Sequence, residues 1–177
     1  AFLQEQQDYA LGIYQAFNEE FQKLGGQTVR EEYPKEATDF KTQLTKLKAT
    51  NPDALFLSTQ TPAAAQRIIK QLQDLNWKPR LLLSDENAGD SKLLTENKAF
   101  LEGALVAEFG VDQNNPKFKL LDQAYKQKYG KDMEFKSYTQ TVYDAIYIVK
   151  DGIASVGYNG QKLADWSRTI KDWQGAS

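Results

Sequence analysis

The chain contains no cysteine and no histidine among its 177 residues. The absence of cysteine excludes disulfide bonds, thiolate nucleophiles and zinc sites built on thiolates. The absence of histidine excludes the usual Ser-His-Asp arrangement and removes the commonest general base and metal ligand. Any catalysis would depend on carboxylates, lysine or tyrosine. These absences argue against an enzyme, and we predict no metal and no cofactor.

A strong charge of either sign is also lacking. The 22 Lys and Arg residues against 24 Asp and Glu residues give a net charge of -2 and a pI near 5.3. Such a chain has no basic field to attract a phosphate backbone or anionic lipid, so we expect no nucleic-acid partner. No apolar run in the sequence approaches the roughly 20 residues that span a bilayer.

What the sequence does have is an alternation of short apolar runs and amphipathic helical patterns. The clearest run, Ala54–Leu57, follows the turn Asn51-Pro52-Asp53 and ends in small hydroxyl residues before a helical pattern. A run of this kind is typical of a strand buried on both faces of a parallel sheet. Four further strands are predicted at residues 1–3, 28–33, 81–83 and 104–109.

Apolar residues at three- and four-residue spacing predict the helices. They cover residues 10–24, 61–75, 91–97, 116–129, 139–156 and 160–172, and a further helix capped by Thr38 or Asp39 carries Phe40, Leu44 and Leu47. The order of elements predicts an α/β fold with a doubly wound, mostly parallel five-stranded sheet, helices on both faces and extra C-terminal helices.

Polar loops follow the predicted strands and are expected at one edge of the sheet, because ligands gather outside the carboxyl ends of parallel strands. The loops are residues 4–9, 58–61, 84–89 and 110–115, and they carry Asp8, Tyr9, Gln60, Asp85 and Glu86. These residues include no cation, and no loop is a glycine-rich phosphate cradle. An acidic, amide-rich edge suits a ligand that presents an ammonium or amide donor.

Each candidate also has an ordinary structural interpretation. Asp85 could cap a turn, Tyr9 could pack on its own helix, and Gln60 could be a plain loop amide. The carboxylate pairs Asp8 with Asp85 and Asp85 with Glu86 are candidates for acid–base catalysis, but neighbouring acidic residues in loops are usually solvated. The acidic clusters lack the Asp-x-Asp-x-Asp-Gly spacing of a calcium loop.

Several segments occur together in an order that is typical of one receptor family. They are FNEEFQKLGG at 17–26, ATDFKTQL at 37–44, NPDALFL at 51–57, LSD at 83–85, the helix with Phe118, Tyr125, Tyr129 and Gly130, and YDA at 143–145. Together they resemble the type I periplasmic binding proteins, specifically the branched-chain amino-acid receptor family of ABC importers. The resemblance covers almost the whole chain.

The resemblance implies a two-lobed receptor that closes on a small ligand, with this chain as its second lobe. Residues 1–138 are then the ligand-binding lobe, and residues 139–177 are helices that return to the first lobe. The expected partner is an ABC permease in the membrane. The expected location is periplasmic or otherwise extracytoplasmic, with a lipid anchor in the full-length protein. An isolated second lobe is expected to hold half a site and to bind weakly or not at all.

The resemblance also implies roles for residues at the predicted edge. Tyr9 matches an aromatic residue that contacts the ligand within a Tyr-Gly-x-Gly pattern, in which Ala10 replaces the first glycine here. Asp85 matches the acidic residue that accepts hydrogen bonds from the ligand's α-ammonium. Gln60 stands where relatives often have an aromatic residue, which implies a more polar pocket for an amino acid or amide. The predicted ligand-binding residues are therefore Tyr9, Thr59, Gln60, Thr61 and Asp85.

One further expectation concerns the helix over residues 139–156. Without a first lobe its apolar face would lose its usual partner, and we expect that face to be covered by rearrangement or by a second copy of the chain. The face consists of Val142, Ile146, Val149 and Ile153.

Two other interpretations stay open at this point. The first is a ligand-sensing domain with the same fold, in a sensor or a sugar-responsive regulator. The second is an enzyme on a doubly wound sheet, against which the lack of histidine and cysteine argues most strongly.

Overall fold

The computed structural model describes residues 1–177, which form two compact units, Ala1–Glu108 and Phe109–Ser177. The first unit contains a five-stranded sheet in the order β2-β1-β3-β4-β5, in which all four neighbouring pairs are parallel. The predicted doubly wound sheet is confirmed, with β3 as its central strand. The strands are β1 Phe2–Glu5, β2 Arg30–Tyr33, β3 Ala54–Ser58, β4 Arg80–Leu83 and β5 Leu105–Val106.

Five helices and one 3-10 turn connect these strands. Gly25 ends the first helix with a positive φ of 83°, a conformation that glycine adopts without strain. Thr61 caps the third helix, since its hydroxyl accepts a hydrogen bond from the Ala64 N–H at 3.2 Å. The helices are α1 Asp8–Lys23, α2 Lys41–Ala49, α3 Pro62–Asp74, α4 Ser91–Glu96 and α5 Lys98–Leu101, and the 3-10 turn is Asp85–Asn87.

Both faces of the sheet are apolar. Successive residues of a strand point to opposite sides, so a continuous apolar run supplies both faces. On one face Leu3 and Leu57 pack with Ile68 of α3 in the main core. On the other face the rings of Phe2 and Phe56 stack with their centroids 4.5 Å apart, and the ring of Phe17 on α1 lies 5.4 Å from that of Phe56. Burial on both sides explains the unbroken apolar run of the central strand.

The second unit consists of three helices, α6 Pro116–Tyr129, α7 Lys136–Val156 and α8 Gly160–Ser167. Its small core is built from Phe118, Met133 and Ala176. The predicted boundary between residues 138 and 139 falls inside α7, whereas the compact units meet between Glu108 and Phe109. The return of the C-terminal helices to another lobe stays a prediction.

Several elements differ in extent from their predictions. The strand expected at 104–109 is only β5, whose two residues are exposed and pair with β4 alone. The helix expected at 91–97 stops before Asn97, whose side chain donates to the Leu93 carbonyl at 3.0 Å and competes with helical continuation. The last helix ends at Ser167, not at residue 172. None of the helices, including the 21-residue α7, combines the length and the apolar character needed to cross a membrane.

Candidate functional site

The candidate site lies at the carboxyl edge of the sheet, where the strand order reverses between β1 and β3. The helix after β1 packs on the face that carries Phe56, and the helix after β3 packs on the face that carries Leu57. The two connections therefore leave the sheet toward opposite sides. Such a reversal opens a crevice outside the strand ends, where ligands of open α/β sheets bind.

Tyr9 and Asp85 meet at this edge. Tyr9 lies in the first turn of α1, and its hydroxyl lies 3.3 and 3.2 Å from the two carboxylate oxygens of Asp85, to which it donates. Burial raises the pKa of the Tyr9 phenol, and the negative charge and hydrogen bond of Asp85 raise that pKa further. The Tyr9 side chain is half exposed, whereas Asp85 is 7 % exposed. The structure thus brings together two candidates that lie 76 residues apart in sequence.

The other three candidates lie in the loop after β3 and have different environments. Thr59 is fully buried, and its hydroxyl donates to Glu86 Oε1 at 2.6 Å. Gln60 is half-buried, and its side-chain amide donates to the Thr59 carbonyl at 2.8 Å. Thr61 is exposed and caps α3. Of the three side chains, Gln60 and Thr61 are accessible from solvent, and Thr59 supports the loop from within.

Sequence reasoning missed the central role of Glu86 in this network. Its Oε1 accepts hydrogen bonds from the Thr59 hydroxyl at 2.6 Å, the Ser84 hydroxyl at 2.9 Å and the Asn87 amide at 2.8 Å. Its Oε2 is buried with no hydrogen-bond partner. Burial raises the pKa of Glu86 more than the bonds from Thr59 and Ser84 lower it, and the charge of Asp85 raises it as well. The only sequence signal was an acidic residue soon after a buried strand.

Other buried polar groups collect at the same edge. Glu5 at the end of β1 is 4 % exposed, and burial raises its pKa although the charge of Lys35 and the backbone N–H of Gln60 lower it. Burial also raises the pKa of the Tyr33 phenol far above its ordinary value. The negative charges of Glu5 and Glu86 raise that pKa further. Five buried side-chain atoms near these strand ends have no hydrogen-bond partner: Gln4 Oε1, Gln7 Nε2, Tyr33 OH, Ser58 Oγ and Glu86 Oε2.

This arrangement can accept hydrogen bonds from a small cationic or amide ligand. Carboxylates and hydroxyls dominate the edge, and a carboxylate in a partly dry environment forms strong, charge-assisted hydrogen bonds with an ammonium group. No group of three or more Asp or Glu side chains is placed to hold a metal ion. The fourth loop of the prediction, residues 110–115, belongs to the second compact unit.

A comparison with protein-family models gives a match over the full length of the chain. The model described as "Periplasmic binding protein" matches residues 1–177. The chain belongs to the periplasmic binding protein family. The predicted resemblance is thus confirmed, and the doubly wound sheet corresponds to one lobe of that fold.

Solved structures of this family resemble the chain along nearly its whole length. A leucine-binding protein LivK from Thermotoga maritima is 27% identical with a TM-score of 0.84, over 99% of this chain and 50% of that one. A solute-binding protein from Rhodopseudomonas palustris BisB5, solved with 3,4-dihydroxybenzoic acid, is 21% identical with a TM-score of 0.75, over 99% of this chain and 49% of that one.

A fatty-acid ABC transporter substrate-binding protein from Thermomonospora curvata is 22% identical with a TM-score of 0.79, over 97% of this chain and 46% of that one. The chain therefore spans about half the length of these relatives. No curated protein sequence matches it significantly. The ligands of these relatives differ widely in chemistry, so the fold by itself does not specify the ligand.

Proposed function

We propose that this chain is one lobe of an extracytoplasmic receptor that binds an amino acid or a similar small polar molecule and delivers it to an ABC permease in the membrane. Membership of the periplasmic binding protein family supports a solute-binding role. The chain spans about half the length of its relatives, which supports a receptor whose other lobe is formed by residues outside the sequence described. The receptor functions by closing its two lobes on the ligand, because contacts to both lobes favour the closed state.

The observation that supports a ligand with an ammonium or amide donor is the Tyr9–Asp85 pair at the sheet's carboxyl edge. Asp85 is almost fully buried, and the Tyr9 hydroxyl orients its carboxylate from the first turn of α1. We propose that Asp85 accepts hydrogen bonds from the ligand's ammonium or amide, while Tyr9 and Gln60 line the cleft. Thr59 and Thr61 hold the Gln60 loop in place. The ligand's carboxylate, if it has one, would bind the other lobe.

The test is ligand-dependent thermal stabilisation of the intact two-lobed receptor, screened against the proteinogenic amino acids, acetamide and urea. A ligand at 100 times its Kd stabilises the folded protein by about 2.7 kcal/mol. Asp85→Ala removes a charge-assisted contact worth about 1.5–3 kcal/mol, which corresponds to about 10- to 100-fold in affinity. At the same ligand concentration we expect the ligand-dependent stabilisation to fall from about 2.7 to about 0.4–1.4 kcal/mol, while the melting temperature without ligand stays nearly unchanged.

Asp74→Ala is the matched control, because Asp74 is an exposed carboxylate at the last residue of α3. This variant should respond to ligand like the wild type. An unchanged ligand response in Asp85→Ala would contradict the assignment of Asp85. Turnover of a substrate that depends on Asp85 would instead favour an enzyme. A signalling segment in the same polypeptide would favour a sensor or regulator over a transport receptor.

The apolar face of α7 is the proposed surface for a second protein contact. Val142, Ile146 and Val149 are 61%, 64% and 51% exposed, and Ile153 continues the same face. Exposed apolar side chains at this spacing are typical of a protein interface. We expect the isolated chain to self-associate through this face in sedimentation velocity, and Ile146→Glu to shift it to monomer. A wild-type chain that is strictly monomeric would contradict this prediction.

A further inference from the structure

The Asp85 turn is held by a buried network whose centre is a single carboxylate oxygen. Glu86 Oε1 accepts three hydrogen bonds, at 2.6 Å from Thr59, 2.9 Å from Ser84 and 2.8 Å from Asn87. Thr59 belongs to the loop after β3, whereas Ser84, Glu86 and Asn87 belong to the turn after β4. The carboxylate therefore ties two neighbouring loops of the site together.

Asp85 lies between two members of this network. Ser84 precedes it and Glu86 follows it, so fixing those two side chains restricts the backbone on both sides of Asp85. The Asn87 amide closes the turn by donating to the Ser84 carbonyl at 3.1 Å. The Tyr9 hydroxyl then fixes the Asp85 carboxylate from the other side of the crevice.

We propose that Glu86 is a positioning residue, which fixes the turn carrying Asp85 against the end of β3 in the geometry that receives the ligand's donor group. The proposal rests on the proposed function, since it concerns the same site. Glu86 acts through Asp85 and does not touch the ligand, because its Oε1 is occupied by three protein donors and its Oε2 is shielded from solvent.

The geometry requires an acceptor at this position more than it requires a charge. A glutamine offers the same carbonyl oxygen at the same reach, whereas an alanine leaves the Thr59, Ser84 and Asn87 donors without their common acceptor. Each donor keeps a second acceptor, at 3.0 Å for Ser84 with the Leu57 carbonyl, 3.1 Å for Asn87 with the Ser84 carbonyl and 3.4 Å for Thr59 with Asn87 Oδ1. The alanine therefore weakens the connection between the two loops without leaving these donors unpaired. Glu86→Gln should therefore retain the turn, and Glu86→Ala should release it.

Hydrogen–deuterium exchange of the ligand-free chain tests the positioning role directly. The Asn87 and Ala88 amides donate to the carbonyls of Ser84 and Asp85 at 3.2 and 3.1 Å, so their exchange reports closure of the turn. We expect Glu86→Ala to accelerate their exchange about tenfold or more and Glu86→Gln to change it less than about threefold. Exchange in α3 should be unaffected. Glu102→Gln, which changes an exposed carboxylate before β5, is the control.

A pH titration of the backbone amide resonances of residues 84–88 adds a readout that a purely structural role would not change. The ionisable groups that interact electrostatically with Glu86 are Asp85, Tyr9 and Tyr33. Glu5 is a further charge near Tyr33. Both tyrosines stay neutral across the acid range, because their pKa values are raised. We expect Glu86→Gln to remove the titration step that belongs to Glu86, whose pKa burial raises above the ordinary value of 4.5.

Two results would overturn the proposal. The first is Glu86→Ala with wild-type exchange at Asn87 and Ala88. The second is Glu86→Gln with wild-type exchange but a ligand response in the intact receptor as weak as that of Glu86→Ala, which would place the Glu86 charge on the ligand itself. If none of the amino acids, acetamide or urea stabilises the wild-type receptor, the proposed function fails, whereas the exchange data still decide the positioning role.

Discussion

Two carboxylates, Asp144 and Glu86, one in each compact unit, differ in how their oxygens are hydrogen-bonded. Asp144 of α7 is 4 % exposed, and its oxygens accept hydrogen bonds from the Ala176 N–H at 2.7 Å and from the Ser177 N–H and hydroxyl at 2.8 and 2.7 Å. Although burial raises its pKa, these bonds and the charge of Lys117 together lower it below the ordinary value. Glu86 in the first unit has one oxygen with three donors, one with none, and a raised pKa.

The difference separates a structural carboxylate from a functional candidate. A buried carboxylate with donors on both oxygens is stable in its charged form, and it holds the chain segment that supplies those donors. A buried carboxylate with an unpartnered oxygen opposes the stability of the fold, and such groups concentrate at functional sites. Asp144 therefore joins residues 176–177 to α7, whereas Glu86 and its neighbours belong to the candidate site at the sheet's carboxyl edge.

The largest expected effect comes from removing the carboxylate of Asp144. Asp144→Ala leaves the buried Ala176 N–H without its acceptor, whereas the donors of the exposed Ser177 can bond to water. The cost of such a loss is about 1–3 kcal/mol of unfolding free energy. Urea denaturation followed by tryptophan fluorescence measures it, since Trp166 and Trp173 lie in the same unit.

The control for this prediction is Asp132→Ala. The side chain of Asp132 is 78% exposed, and its hydrogen bond to Lys126 also lowers its pKa. Its removal should leave the denaturation midpoint close to that of the wild type, because exposed ion pairs contribute little. Equal effects at Asp144 and Asp132 would show that burial does not distinguish the two carboxylates.

The second prediction concerns the opposite pH dependences expected for Asp144 and Glu86. The pKa of Asp144 is lowered on folding, so its contribution is present above the unfolded value near 3.8 and is lost as the pH falls through the folded value. The pKa of Glu86 is raised, so the folded protein loses stability as the pH rises from 4.5 through the folded pKa. The slope within each window is at most about 1.4 kcal/mol per pH unit.

Urea denaturation across the acid range compares the wild type with Asp144→Asn and Glu86→Gln. The stability advantage of the wild type over Asp144→Asn should decrease at low pH. The stability of the wild type relative to Glu86→Gln should instead decrease as the pH rises above 4.5. The comparison would be contradicted if the stability difference between wild type and Asp144→Asn and that between wild type and Glu86→Gln changed with pH in the same direction.

The sequence was sufficient to predict the sheet and to place the candidate residues Tyr9 and Asp85 at its carboxyl edge, but not the hydrogen-bond network around them. Apolar runs such as Ala54–Leu57 identify strands because the pattern lies within one short segment of sequence and can be read without knowing which residues pack against it. The Thr59–Glu86 bond joins residues 27 apart and depends on the register between β3 and β4, which a single sequence does not determine. The same holds for Asp144, whose donors return from 32 and 33 residues away.

The smallest expected effect is that of Tyr9→Phe. The Tyr9 side chain is half exposed, and its hydroxyl bonds to Asp85 at 3.2 and 3.3 Å can be replaced by bonds to water. Stability should therefore fall by less than about 0.5 kcal/mol. Asp85, however, would lose the group that orients its carboxylate, so we expect ligand affinity of the intact receptor to fall about 3- to 10-fold, consistent with one hydrogen bond of about 1 kcal/mol.

Tyr14→Phe is the matched control on the same helix. The Tyr14 hydroxyl lies 3.2 Å from the Thr28 hydroxyl, in contact with the chain that enters β2 and without a bond to Asp85. Its removal should change stability by a similar small amount and leave ligand affinity at the wild-type value. If both variants weaken binding equally, the Tyr9 hydroxyl has no specific role. If only Tyr9→Phe weakens it, a group with little influence on the fold controls the orientation of the ligand-binding carboxylate.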